Sequence, residues 1–189
     1  MNKKLFYPIL GLVIILYSSL AFCQTKKTSI ETSKDNTQEQ LLQNKIYIEN
    51  ETRGSEIAKL KFAPSSEKKV VIQKIKNTNN EARITLFYSN NRIIRIEKRI
   101  YNAMNQDLGY SIFDFDDQNK CFLNTQRDAR EKMSYSDAVY WDTLIRFDVH
   151  CKVISLTKEK KTEIIQSTKA SLDSIMQNFP QFKYSIDWK

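Results

Sequence analysis

The chain has 189 residues, with 30 lysines and arginines against 22 acidic residues, a net charge of +8 and one histidine. That length suits one ordinary domain with a sizeable core. With three glycines and three prolines, glycine-rich phosphate loops have almost no raw material: Gly11 lies in an apolar N-terminal run, and Gly54 and Gly109 stand alone. The basic excess is diffuse, densest at Lys158-Glu159-Lys160-Lys161. It predicts weak attraction to anionic surfaces and no nucleic-acid partner, which would need basic residues gathered beside stacking aromatics.

Lys3 and Lys4 precede an apolar run from Leu5 to Phe22, and the sequence turns polar at Gln24. This is the layout of a secretory signal peptide over residues 1–23. Three fates are open. Cleavage before Gln24 uses small residues near the exit. Alternatively, Leu20-Ala21-Phe22-Cys23 resembles a bacterial lipoprotein signal, which implies a lipid on Cys23; it departs from that pattern at Phe22, where a small residue is usual. The third is a retained anchor, since about 18 apolar residues approach the lower limit for spanning a bilayer. A buried core helix does not fit, because the run is apolar on every face. The expectation is export to the periplasm or cell exterior, with membrane contact only through this segment or a lipid on Cys23.

Residues 24–44 are polar and read as a flexible leader, with room for a helical turn around Glu39 to Gln43. The folded domain is expected over 45–189, beginning at Lys45-Ile46-Tyr47-Ile48. Beyond it the pattern alternates in segments rich in β-branched and aromatic residues: 70–72, 84–88, 93–96, 110–115, 121–126, 141–147 and 153–157. Within the third, Ile94, Ile96 and Ile100 point one way and Arg95, Glu97 and Arg99 the other, as a half-buried strand with a solvated outer face. Lys98 falls on the apolar side and predicts a bulge or an edge there.

Turns must be built by Asn and Asp, which bond their own main chain and tolerate left-handed backbone. Asn79-Asn80, Asn90-Asn91 and Asp116-Asp117-Gln118-Asn119 stand where turns are needed. Three of the turns align as a repeat. Phe115-Asp116-Asp117-Gln118-Asn119-Lys120 leads into Cys121-Phe122-Leu123, Phe147-Asp148-Val149-His150-Cys151-Lys152 into Val153-Ile154, and Tyr88-Ser89-Asn90-Asn91-Arg92, one residue shorter, into Ile93-Ile94. Each is a hairpin unit. Over residues 84–157 the pattern resembles the aromatic-Asp-x-x-Gly-Lys hairpins of small uncharacterised bacterial secreted proteins and lipoproteins, with Asn119 and Cys151 where Gly is usual. The resemblance implies an antiparallel sheet and an envelope address, and no activity.

Ile165, Thr168, Leu172, Ile175, Met176 and Phe179 recur at steps of three and four, predicting an amphipathic helix from about Thr162 to Asn178 that covers one face of the sheet. Lysines at its start oppose the helix dipole, and Pro180 ends it. Phe182, Tyr184, Ile186 and Trp188 then alternate, as a last strand or an aromatic strip against the core. The expected fold is α+β: an antiparallel meander of seven to nine strands with one C-terminal helix on a face.

Candidate chemistry is sparse. Cys121 and Cys151 either form a disulfide, stabilising by about 3–4 kcal/mol, or remain separate thiols. His150 sits in a hairpin loop and reads as exposed. With Cys151 and Cys121 it falls short of the four ligands of a structural zinc site. Asp114, Asp116, Asp117 and Asn119 lack the glycine of a calcium loop, and Asp116 and Asn119 are already explained by the turn. Neither a metal nor any other cofactor is expected, and no catalytic residue stands out. Arg92, Arg95, Lys98 and Arg99 read as a solvated face, with contact to lipid headgroups or acidic glycans as the functional alternative. The function expected is that of an exported, non-catalytic protein binding or scaffolding an envelope component. The alternatives are a carboxylate-dependent envelope hydrolase and a binder of a small apolar ligand between sheet and helix.

Overall fold

A computed structural model describes residues 38–129 and 135–186. The segment read as a signal peptide, with Cys23 and Gln24, and Trp188 lie outside the described residues. The fold is α+β, in the order α1 (Gln38–Leu60), β1 (Glu67–Lys74), β2 (Glu81–Ser89), β3 (Arg92–Tyr101), β4 (Asp107–Phe115), β5 (Cys121–Asp128), β6 (Tyr135–Tyr140), β7 (Ile145–Phe147), β8 (Val153–Ile154) and α2 (Lys158–Met176). The eight strands form one antiparallel sheet in sequential order, a pure meander. The two helices cover its opposite faces, each with its own apolar cluster.

The turns follow the Asn and Asp positions. Asp116 and Asp148 build two turns of one design. The Asp116 carboxylate accepts the N–H groups of Gln118 and Lys120, both at 2.9 Å. That of Asp148 accepts those of His150 at 2.8 Å and Lys152 at 3.0 Å. Asn119 and Cys151 take the left-handed position, φ 59° and 62°, where glycine would be unstrained. Between β2 and β3, Asn90 (φ 48°) and Asn91 (φ 62°) make a two-residue turn with positive φ at both positions, the geometry that matches strand twist.

Asn119 does more than turn the chain. Its side-chain oxygen accepts the Ile93 N–H at 2.7 Å and its amide donates to the Asn91 carbonyl at 3.2 Å. Its own carbonyl accepts the Ser185 N–H at 3.1 Å, while Cys121 N–H donates to the Ser185 carbonyl at 2.8 Å. Two hairpin turns and the C-terminal tail thus meet at one residue. Among the described residues the tail makes a single parallel bridge, Lys120 to Ser185. It is an aromatic strip against the core: Phe182 is buried, its ring 5.0 Å from that of Tyr88.

Four local expectations are corrected. The chain from Lys45 onward is helical, because α1 runs from Gln38 to Leu60. Its inward face, Ile46, Tyr47, Asn50, Gly54, Ile57 and Ala58, has helical spacing but mixes polar and small residues, so it carries little apolar signal. Second, α2 begins at Lys158, not near Thr162. Thr157 caps it by accepting the Lys160 N–H, a contribution of about 1 kcal/mol that offsets the exposed lysines. Third, the strand expected over 141–147 is split: β6 ends at Tyr140, and Trp141 to Leu144 form the turn into β7. Fourth, Arg95 and Glu97 are not solvated. Both are buried on the α1 side, where Arg95 donates to both oxygens of Asp114, directly opposite on β4, at 2.5 and 2.8 Å, and Lys61 reaches Glu97 at 2.6 Å. Burial pushes the Asp114 carboxyl up, with Arg95 opposing that shift.

The bulge of β3 lies at Ile94, not Lys98: Phe87 faces Arg95 and Tyr88 faces Ile93, leaving Ile94 unopposed. Phe122 is left unopposed on β5 in the same way. Both extra residues join the α1 cluster with Ile57, Leu123 and Tyr140. The slip sends Ile93 and Ile96 together to the α2 cluster, so the α2 face of β3 reads Ile93, Ile96, Lys98 and Ile100.

Two predictions follow from the turns. Asn119→Ala loses the Ile93 and Asn91 ties and keeps the left-handed strain; a loss of about 2–3 kcal/mol in urea unfolding is expected, with Asn119→Gly about 1 kcal/mol milder. The Asp148 carboxyl is held below its ordinary value by the Lys152 and His150 N–H groups. A lowered folded-state value favours folding above the unfolded value of about 3.9, and this contribution is lost as pH falls through the folded value. Asp148→Asn should therefore flatten the drop in urea midpoint between pH 5 and pH 2.5, chosen to bracket that window of about 4 and below.

Candidate functional site

The register of the α2 face divides it by polarity. Directly opposed residues form transverse rows. One runs Leu86, Ile96, Phe113, Asn124, Val139 and Arg146; the next runs Ile84, Lys98, Ser111, Gln126 and Asp137. Both rows are apolar at the β2 end. The C-terminal half of α2 joins that end through Leu172, Ile175 and Met176, with Phe179 just beyond the helix. Toward β6 and β7 the floor is polar, and so is the N-terminal half of α2.

This polar region holds two clefts that share Gln126. The first, about 170 Å³, has Asn124, Gln126, Asp137, Val139 and Arg146 as its floor, with Lys160, Glu163, Ile164, Ser167 and Thr168 of α2 as its wall. The second, about 220 Å³, is lined by Lys98, Tyr110, Ser111 and Gln126, among others. Gly109 borders it with φ 141°; a Cβ there would lie 2.4 Å from the Arg127 carbonyl oxygen, so the position admits only glycine. Successive strands lie about 4.8 Å apart, so the lane from Lys98 to Asp137 spans roughly 14 Å.

The polar groups of the first cleft are buried and only partly paired. Asp137, Asn124 and Thr168 are 7%, 0% and 4% exposed. Arg146 donates through Nε and Nη2, both to Oδ2 of Asp137. Gln126 donates to the Asn124 side chain at 2.7 Å, and Asn124 to the Ile112 carbonyl at 3.1 Å. Asp137 Oδ1, Gln126 Oε1 and the Thr168 hydroxyl accept or make no hydrogen bond with any described residue. None of the three atoms is sealed from solvent without a partner, so each reaches the open space of the cleft, where a bound molecule could complete its hydrogen bonds. Of the two carboxylates in the cleft, Asp137 is clamped by Arg146, and Glu163, well exposed, pairs with Lys160 at 2.8 Å.

The residues singled out from the sequence lie elsewhere. Cys121 is a free thiol at 0% exposure and is not joined to Cys151. It faces the α2 core and donates to the Leu123 carbonyl, and burial pushes its pKa well up, so it is poorly reactive. Cys151 sits in the β7–β8 turn, where its sulfur accepts the Tyr47 hydroxyl at 3.6 Å. His150 is exposed in that turn. Asp116 is occupied as a turn acceptor and Asp114 as the partner of Arg95. Among the described residues no group of three or more His, Cys, Asp or Glu side chains is placed to hold a metal ion. Sequence reading missed Asn124, Gln126, Asp137, Arg146 and Thr168. The one signal was Lys98, whose place on an apolar face marks the end of the lane.

If Thr168 is a ligand contact and not a folding contact, Thr168→Val should leave stability unchanged within about 1 kcal/mol, because it replaces a cleft-facing hydroxyl that bonds no described residue with an apolar group of the same shape. Thermal and urea unfolding check this.

No protein-family model, curated protein or solved structure matches this chain.

Proposed function

We propose that this is an exported, non-catalytic binding protein of the bacterial envelope that uses the polar lane beside α2 as its binding surface. The observation that carries the binding role is the set of incompletely paired polar groups lining one cleft, Asp137 and Thr168 buried and Gln126 half-buried. A ligand would complete their hydrogen bonds. Export rests on the charged and apolar leader. Asp137 and Glu163 share the cleft, which favours the hydrolase alternative, but each is tied to a cation. Hydrolysis needs one carboxyl as a proton donor and the other free to attack or activate water. The polar floor likewise disfavours an apolar ligand between sheet and helix.

Expressed with its leader in a bacterial host, the protein should be recovered from the exported fraction with the intact mass of a chain starting at Gln24. A lipid-modified Cys23 would keep the export reading and add an anchor. A full-length chain soluble in the cytosol would overturn export. Incubated with envelope polysaccharides, the protein should release no reducing ends. Release abolished by Asp137→Asn or Glu163→Gln would instead establish the hydrolase.

A further inference from the structure

We infer that the lane takes an acidic oligosaccharide, its neutral hydroxyls on the Asp137–Arg146 pair and a carboxylate over Lys98; this rests on the binding reading above. Each half of the ion pair is only partly satisfied. Asp137 keeps Oδ1 open as an acceptor, and Arg146, with both its contacts on Oδ2, keeps further N–H donors. A donor and an acceptor side by side repel a bare anion or a bare cation equally. They match a group that both donates and accepts, and the adjacent hydroxyls of a sugar ring are such a group. The Gln126 carbonyl and the Thr168 hydroxyl add two more contacts of the same kind, while Val139 and Ile164 offer a small apolar surface for ring C–H groups. At about 170 Å³ the cleft is smaller than the roughly 300 Å³ of drug-sized pockets, a size suited to one ring.

Gln126 opens onto the second cleft, and there the chemistry changes. Lys98 is half-buried on an interior strand and no ion pair joins it to another described residue; Arg127 and Asp128 also line the cleft, so its cations outnumber its one carboxylate. A cation drawn partly out of water without a direct partner favours an anion in the space beside it. Ser111, directly opposite Lys98, adds a small polar side chain to the same cleft. The lane of roughly 14 Å accommodates a short chain of sugar rings, and the net charge of +6 that remains once Lys3 and Lys4 leave with the leader (8 − 2) would attract a polyanionic glycan over a neutral one.

Isothermal titration of the purified protein with tetragalacturonate, cellotetraose and a tetraglutamate peptide tests this. Tetragalacturonate should bind at least about tenfold more tightly than cellotetraose, the equivalent of one charge-assisted hydrogen bond, and added salt should erode that difference. Lys98→Gln should bring tetragalacturonate down to the affinity of cellotetraose and leave cellotetraose unchanged. Asp137→Asn should weaken both, and Gln126→Ala, which leaves the Asp137–Arg146 pair itself intact, should do the same, so that a folding defect in the first variant would not hide the result. Equal binding of the two saccharides, or no effect of Lys98→Gln, overturns the assignment. Binding of tetraglutamate in place of saccharide overturns the ligand class and leaves the binding role standing. No binding of any probe overturns the inference, while export and the lack of reducing-end release stand or fall separately.

Discussion

The rest of the structure depends on how far the apolar side of α2 extends along the sheet. Leu172, Ile175, Met176 and the following Phe179 join Ile84, Leu86, Ile93, Ile96, Phe113 and Phe115 in one dry cluster. Burial of side chains this large stabilises by roughly 1.5–3 kcal/mol each, enough to hold the helix in place over the sheet. Its other half is thereby carried over β5 to β7, where Val139, Ile164 and Ile165 extend the apolar contact and the other lining residues are polar. A helix held at one end roofs a polar lane at the other without that lane having to stabilise anything.

The opposite face solves a different problem. An antiparallel sheet covered on both sides must fill both inner surfaces, yet the outward positions of β3 and β4 carry Arg95, Glu97 and Asp114. The two bulges turn Ile94 and Phe122 to that face and supply the apolar bulk that strict alternation would have denied it. Gly54 of α1 comes close to Leu123, with room for a Cβ only 3.3 Å from its methyl group, so the helix can settle against this layer. The Arg95–Asp114 pair beneath it is directly opposed across the strands. Such a buried pair adds little net stability over an apolar pair, whereas losing one partner is expensive; its best-attested role elsewhere is to pin register, and here it joins β3 to β4.

The hairpins were legible from residues because turn chemistry is local. Asp116 and Asp148 satisfy N–H groups two and four residues away, and Asn90, Asn91 and Asn119 adopt the positive φ that few other side chains tolerate. The α2 stripe was legible for the same reason, since its spacing repeats within one segment. α1 was not, because its buried face contains Asn50 and Gly54, chosen for what lies opposite them. The start of α2 was misplaced because the dipole penalty of exposed lysines is no larger than the Thr157 cap. Cys121 and Cys151 could not be judged from spacing alone: one side chain faces the α2 core and the other is in a turn packed near Tyr47.

By itself the sequence determined the α+β class, the meander, the Asn- and Asp-built turns and the C-terminal helix, all carried by patterns a few residues long. The tertiary structure alone decided which side chains meet. Lys98, Ser111, Gln126 and Asp137 are 11 to 15 residues apart along the chain at each step and fall into one row only because hydrogen-bond register aligns them. Arg95 and Glu97 became interior only because a helix from far upstream covers them. Alternation assigns a residue to a face; what lies over that face is set by distant segments, and that contact separates a solvated strand from a buried ion pair or a roofed polar lane.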